Sequence, residues 1–437
     1  MLPAVVNVLL RTLYAGATTL ARLAPSLAPA SESKLWRSVR ARRGVLDRWA
    51  ALASARDTSR ALVWLHAPSV GEGLQARPVA HALRAARPAL QQAYSFFSPS
   101  AERFAASVGA DFTEYLPFDG APEAERLLSL LQPQLLVFVK LDVWPMLVER
   151  AVARGVPVAM LSATLSASSG RRGVLSRALL HDAYASMSLV GAIDAENAER
   201  LVALGVRRDR VRVTGDTRFD QVWQRAQSVD RGSALLTATA SDRPTLVAGS
   251  TWPADEAVLL SAWNTLRKQV PRARLIIAPH EPTAVHLAPI LDWARASGLR
   301  MSSLGEIERT AGAAHDDHDV IVVDRVGVLG DLYAHATAAF VGGGFHRAGL
   351  HSAIEPAAFG APVLFGPGHQ MSREAGLLLA AGGARAVADT SALAAALASW
   401  LGDTAVGSSA GTAARAIVER ERGATERSVA LLTELLG

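Results

Sequence analysis

Short apolar runs recur along the chain, each followed by a stretch of helical spacing, and this alternation restricts the possible folds more than any other feature. In the first half the runs are 61–66, 94–97, 135–139, 156–161 and 211–214. In the second half they are 245–248, 274–278, 320–323, 338–341 and 362–365. Strands that are apolar throughout, rather than at every second residue, are covered on both faces, as in a parallel sheet flanked by crossover helices. Two such sets predict an α/β chain of two Rossmann-like, doubly wound domains. Half of the 437 residues are apolar, enough for a core in each. The polar segment 224–243 reads as a linker, so the expected domains are 51–225 and 240–410. Residues 1–50 precede them as an anchor and basic segment. Residues 411–437, with helical periodicity from Thr412 to Leu436, are expected to pack across the domains.

The chain has no cysteine, which excludes disulfides and thiolate metal sites. Its net charge of +5 is unevenly placed: residues 1–60 hold ten Lys and Arg against three Asp and Glu, a net of +7, which leaves −2 for the other 377. A nucleic-acid binder would spread basic residues over a folded surface with aromatics for stacking; that pattern is missing, so no nucleic-acid partner is expected. Residues 1–24 are apolar but broken by Asn7, Arg11 and Arg22, short of the ~20 apolar residues a spanning helix needs. The charges lie inside and after the apolar part, the reverse of a secretory signal. Lys34, Arg37, Arg40, Arg42, Arg43 and Arg48 follow. An amphipathic helix with a basic stretch behind it predicts monotopic contact with an anionic membrane surface. The alternative is a helix packed on the protein's own core with a solvated basic face.

Ligands of open α/β sheets sit beyond the carboxyl ends of the strands, and two facing sheets would form a cleft there. The first run ends in His66-Ala-Pro-Ser-Val-Gly-Glu72-Gly73. Gly71 and Gly73 permit close backbone approach to a ligand, and Pro78 marks the first turns of a helix. Glu72 is then either a base on the cleft side or a helix N-terminal carboxylate. Lys140 and Asp142 follow the 135–139 run, as a charged pair lining the cleft or an ion pair at a sheet edge. Arg218 could fork onto phosphate or carboxylate, or pair with Asp216 or Asp220.

The second half offers Gly249-Ser250-Thr251-Trp252-Pro253, a phosphate seat if its N–H groups are free. Pro279 and His280 follow the 274–278 run. Gly342-Gly343-Gly344-Phe345, with His351 early on a helix and Glu355 one turn later, suits a nucleotide whose ribose hydroxyls donate to the Glu. These glycines do not match G-x-G-x-x-G, which argues against a nicotinamide cofactor. His315-Asp-Asp-His318-Asp319 resembles a metal cluster, but consecutive loop residues rarely converge on one ion, so it reads as a solvated loop.

Ser69-Val-Gly-Glu72, Phe96-Phe-Ser-Pro-Ser100, and the segments 215–220, 249–253, 278–281 and 341–356 together resemble the Kdo (3-deoxy-D-manno-octulosonic acid) transferases, glycosyltransferases of lipopolysaccharide assembly. The resemblance implies the GT-B architecture, two Rossmann-like domains facing a cleft. It matches Glu72 to the family's catalytic base and Arg218 to a residue that steadies the transition state. It matches Pro279, His280, Val326, Gly327, Val328, Ser352, Ala353, Ile354 and Glu355 to positions that hold the CMP part of the donor. Lys140 stands where many members have Glu, and Pro279-His280-Glu281 where many have Pro-Arg-His. The implied reaction moves Kdo from CMP-Kdo to a lipid A precursor (lipid IVA) with inversion and without a metal or other cofactor. The implied location is the cytoplasmic face of the bacterial inner membrane. The alternatives are a GT-B enzyme using another nucleotide sugar, such as a UDP-hexose transferase or epimerase, and a non-catalytic lipid-surface protein.

Overall fold

The apolar runs become strands of two parallel sheets, all inner except 211–214, which forms an edge, in a computed structural model that describes every residue except 1–3, 23, 32, 167–168, 311–317 and 348. The first sheet contains β1 (Leu62–His66), β2 (Gln91–Phe96), β3 (Phe112–Tyr115), β4 (Leu135–Val139), β5 (Val158–Ala163), β6 (Leu189–Ala192) and β7 (Val211–Val213). The second contains β8 (Thr245–Thr251), β9 (Arg274–Pro279), β10 (Met301–Ser303), β11 (Val320–Val322), β12 (Ala338–Val341), β13 (Val363–Phe365) and β14 (Ala384–Ala386). The orders are β3-β2-β1-β4-β5-β6-β7 and β10-β11-β9-β8-β12-β13-β14. Both are doubly wound, with the direction of winding reversing between β1 and β4 and between β8 and β12.

Four strands escaped the apolar-run reading: β3, β6, β10 and β14. Three of them are sheet edges, where one side is wet and the pattern alternates or shortens. β14 reads Ala-Arg-Ala, and β6 carries Gly191, whose added Cβ would lie 2.5 Å from the Thr214 hydroxyl.

Chain contacts divide the molecule into one unit of Met1–Gln221 with Arg422–Gly437 and a second of Val222–Glu421. The segment 224–243 is not an unstructured linker. It holds the end of the helix Thr217–Ser228 and a short helix, Ala234–Ala238, that Ser233 caps through the Leu236 N–H. The C-terminal segment breaks into Thr404–Arg420 and Ala424–Leu436 at Gly423, which has φ +87°. The last helix belongs to the first unit, where Leu431 and Leu432 join its core. Asp220 fixes it by accepting from the N–H groups of Gly423 and Thr425, each at 2.6 Å.

The N-terminal residues are folded into the first unit more fully than a detached anchor would be. In the helix Ala4–Ala21, Arg11 pairs with Glu149 at 2.7 Å and Asp182 at 2.8 Å, and Tyr14 donates to Asp119 at 2.8 Å. Arg42 is buried and Arg48 chelates Glu114, so part of the basic stretch is used internally. Leu13, Leu20 and Leu35 nevertheless stay exposed. Among the described residues no helix is long and apolar enough to cross a membrane.

Of the expected solvated loop 315–319, residues 315–317 lie outside the described residues. Asp319 is not solvated: it is buried and accepts from Arg243 at 2.7 Å and Arg300 at 3.3 Å, with Arg267 at 3.6 Å. Burial alone would raise its pKa, but these guanidinium groups outweigh it and lower the carboxyl from 3.8 to about 2. A depressed folded-state pKa contributes stability that is complete above the unfolded value and is lost as pH falls through the folded one. Between pH ~4 and ~2, wild type should therefore lose more stability than Asp319→Asn does. Urea melts of both proteins across that window check this; parallel pH dependences would refute it.

Candidate active site

In the first unit, the residues that follow β1 and β4 are neighbours because the chain winds away in opposite directions from these two strands. Glu72 lies in the first turn of the helix Val70–Ala86, and Lys140 directly follows β4. The Lys140 ammonium donates to Glu72 Oε1 at 3.1 Å, and the Ser69 hydroxyl donates to Oε2. Burial opposes ionisation of Glu72, but the Ser69 hydrogen bond and the Lys140 charge prevail and hold its carboxyl below the usual range. Lys140 has φ +68°, a left-handed conformation that costs a non-glycine residue energy and clusters at functional sites.

Lys140 and Asp142 do not pair with each other, so the ion-pair alternative fails. Asp142 turns the other way, 3.0 Å from Trp144 Nε1 and 3.3 Å from His66 Nε2, with Arg171 at 3.5 Å. Its carboxyl is desolvated, yet bonds from His66 and Trp144 keep it below the usual range. The small residue at Gly73 serves packing, not a ligand: an added Cβ would lie 2.5 Å from the Phe104 ring and 2.9 Å from the Tyr94 hydroxyl. Pro78 lies in the helix interior, beyond the first turns.

The same helix reaches the segment holding Arg218. Gln75 Nε2 donates to Asp216 at 3.2 Å, and Thr217 Oγ1 donates to the Gln75 carbonyl at 2.9 Å. Arg218 forks onto Asp216 through Nε at 2.9 Å and Nη2 at 2.7 Å. Asp216 is buried, and Arg218 keeps it ionised against that desolvation. Of the sequence alternatives for Arg218, the structure displays the pairing with Asp216.

In the second unit the residues beyond β8, β9 and β12 converge. The Trp252 ring stacks on His346 at 4.4 Å and on His280 at 4.6 Å, and His280 stacks on His351 at 4.5 Å. Trp252 Nε1 donates to His351 Nε2 at 3.0 Å, which requires that nitrogen to be unprotonated. Burial and the neighbouring His280 lower the His351 pKa to about 4. His351 and Ser352 precede the helix Ile354–Ala358 in chain without regular structure, so His351 is not on a helix with Glu355. Burial raises the Glu355 pKa, with the Arg225 charge opposing it.

The expected phosphate seat at 250–253 is not a set of free N–H groups. The Trp252 N–H is taken by Asp255 at 3.0 Å, and Thr251 Oγ1 donates to Glu256 at 2.8 Å. Asp255, fully buried, also accepts from Gly343 N at 2.7 Å and Phe345 N at 3.0 Å, and so fixes the Gly-rich turn. Gly343 has φ +93°, and a Cβ there would lie 2.1 Å from the Gly349 carbonyl. Gly344 packs on the backbone of Gly366, 2.4 Å from where its Cβ would be. Ser250 has φ +54°. Val326 and Gly327 lie on an open turn before the short helix Leu329–Leu332, and Ala353 and Ile354 are buried. Among the described residues no group of three or more His, Asp or Glu could hold a metal ion.

Sequence reasoning missed Ser69 as the second partner of Glu72, and Asp255 altogether. Asp255 had a legible signal: an acidic residue three positions into a helix that begins at Pro253 is a capping position.

Residues 37–221 match the family described as 3-deoxy-D-manno-octulosonic-acid transferase (kdotransferase). The chain is 32% identical to the 3-deoxy-D-manno-octulosonic acid transferase of Bordetella pertussis over 94% of its own length and 97% of that protein's. It is 28% identical to the Haemophilus influenzae protein of the same description over 76% of each chain. Among solved structures, it resembles the UDP-GlcNAc 2-epimerase of Neisseria meningitidis bound to UDP-GlcNAc, with TM-score 0.60, 13% identity, and coverage of 86% of this chain and 99% of that one. Another UDP-N-acetylglucosamine 2-epimerase gives TM-score 0.62 at 14% identity, covering 86% and 95%. At such identities these likenesses establish the GT-B type of fold and nothing of the chemistry.

Proposed function

This chain belongs to the 3-deoxy-D-manno-octulosonic acid transferase family, a glycosyltransferase family, and on that premise we propose that it moves Kdo from CMP-Kdo to a hydroxyl of a lipid A precursor such as lipid IVA. The observation that carries this reading is the Glu72–Lys140–Ser69 group: a partly buried carboxylate, kept ionised, at the point where the first sheet reverses its winding. Glu72 takes the proton of the acceptor hydroxyl as its oxygen attacks the anomeric carbon. The C–O bond to CMP breaks as the new glycosidic bond forms on the opposite face, so the configuration inverts and no covalent enzyme intermediate arises. General-base assistance of this kind contributes about 10²–10⁴ in rate.

Arg218, oriented by Asp216, offsets charge on the departing CMP. The nucleotide is held by the Gly342–Gly344 turn and by His280, Ser352 and Glu355, with Val326, Gly327 and Val328 beside the base. His351 supports this group through its bond from Trp252 rather than as a charged contact. The reaction uses no metal: no Asp-x-Asp metal motif follows a strand, and the cationic side chains take that role. The acceptor lies in the cytoplasmic leaflet of the inner membrane, and exposed Leu13, Leu20 and Leu35 favour contact with that surface.

Mass spectrometry of a lipid A precursor incubated with CMP-Kdo and the protein tests the proposal; a product heavier by one or more Kdo residues is expected. A chelator should leave the rate unchanged, and a chelator-sensitive rate restored by a divalent cation would overturn the metal-free mechanism. Tighter binding of UDP than of CMP in calorimetry would overturn the donor assignment.

A further inference from the structure

We propose that a groove beside the Glu72 loop docks the phosphomonoester of a membrane lipid, which deepens, and rests on, the reading that the acceptor is a phosphorylated lipid. The groove measures about 850 Å³ and is lined by Arg37, Arg40, Arg48, Ser100, Arg103 and Tyr115. Two carboxylates also face it, Glu102 and Glu114. Glu114 is consumed by Arg48, which donates to both of its oxygens at 2.6 and 3.1 Å. Glu102 accepts from the Tyr115 hydroxyl at 3.1 Å. Arg37 and Arg103 are exposed, and among the described residues neither guanidinium has a carboxylate partner. The groove therefore presents an excess of forked cationic donors, whose geometry suits the oxygens of a phosphate.

Its position is fixed by the buried Arg42. That guanidinium stacks 3.5 Å over the Phe97 ring, donates to the Phe97 carbonyl at 2.9 Å and to Ser38 Oγ at 3.0 Å, and so holds the helix Lys34–Arg40 against the end of β2. The N–H groups of Phe97 and Ser98 in turn both donate to the Pro68 carbonyl, at 3.0 and 2.7 Å. Pro68 is the residue before Ser69, so the wall of the groove is bonded to the turn that carries the proposed base. A phosphate held there would place the sugar of its own lipid beside Glu72. Leu35, exposed on the groove's own helix, and Leu13 and Leu20, exposed on Ala4–Ala21, favour a phosphate joined to apolar chains over a free anion.

The test uses the full chain and vesicles of phosphatidylcholine carrying either phosphatidic acid, a phosphomonoester, or phosphatidylglycerol, a phosphodiester, at equal surface charge. Wild type should bind the phosphatidic acid vesicles more tightly. The double variant Arg37→Gln/Arg103→Gln, whose sites are exposed and leave the core intact, should lose about tenfold for phosphatidic acid and much less for phosphatidylglycerol. Equal losses for both lipids, or no preference in wild type, would overturn the proposal, as would full displacement by millimolar inorganic phosphate. Selective binding of phosphatidic acid without any Kdo transfer would leave the groove standing and remove the function proposed above; transfer without selective binding would do the reverse.

Discussion

Glu72→Gln is expected to lower kcat by about 10²–10⁴-fold while leaving the fold and CMP binding in place. The amide is isosteric: its oxygen still accepts from Lys140 and its NH2 can donate to the Ser69 hydroxyl, so the first turn of Val70–Ala86 loses a charge but keeps its neighbours. It cannot take the acceptor's proton. A role confined to the helix N-terminus predicts a different result, a stability loss of about 0.3–1 kcal/mol with no effect on kcat. The pH profile adds a second readout. Because the Glu72 pKa is lowered, the base is ionised throughout the neutral range, and the acid limb of kcat should appear only below the usual carboxylate range. Lys140→Met removes a charge that favours ionisation, so the limb should move to higher pH. An unchanged kcat in Glu72→Gln would mean that another group accepts the proton.

Asp255→Ala is expected to give the second largest effect, although Asp255 touches none of the reacting atoms in the proposed scheme. The change strands three N–H groups, those of Trp252, Gly343 and Phe345. Unsatisfied buried donors cost roughly 1–3 kcal/mol each, so a loss of about 3 kcal/mol or more is expected. In a unit of this size that corresponds to a fall of roughly 6–12 °C in melting temperature. The Gly-rich turn would no longer be fixed, and the donor KM should rise more than kcat falls. Asp255→Asn keeps one acceptor oxygen and should recover part of both effects. A normal donor KM in the alanine variant would show that the turn does not hold the nucleotide.

The strands at the centre of each sheet were legible because they are buried on both faces and therefore apolar throughout. β4 and β12 were bounded to the residue from the sequence, whereas β3, β10 and β14, at sheet edges, lack that pattern. Glu72 was legible by motif and by position after a strand, but its partner was not. Two residues 68 apart meet only because β1 and β4 are adjacent, a fact of topology that local spacing does not carry. The same limit kept a Lys140–Asp142 ion pair among the alternatives and placed His351 on a helix that starts three residues later. The basic run at 34–48 reads as uniform in sequence, yet its members differ entirely: Arg42 is buried with its pKa lowered to about 10, Arg48 is ion-paired, and Arg37 faces solvent.

The return of residues 422–437 to the first unit has a consequence for biosynthesis. Leu431 and Leu432 belong to a hydrophobic core whose other members, Val45 to Val206, emerge from the ribosome much earlier. The intervening 200 residues, 222–421, take ~10–40 s to translate at ~5–20 residues per second. For that interval the nascent front half carries an uncovered apolar seam, which makes it a natural client for a ribosome-associated chaperone.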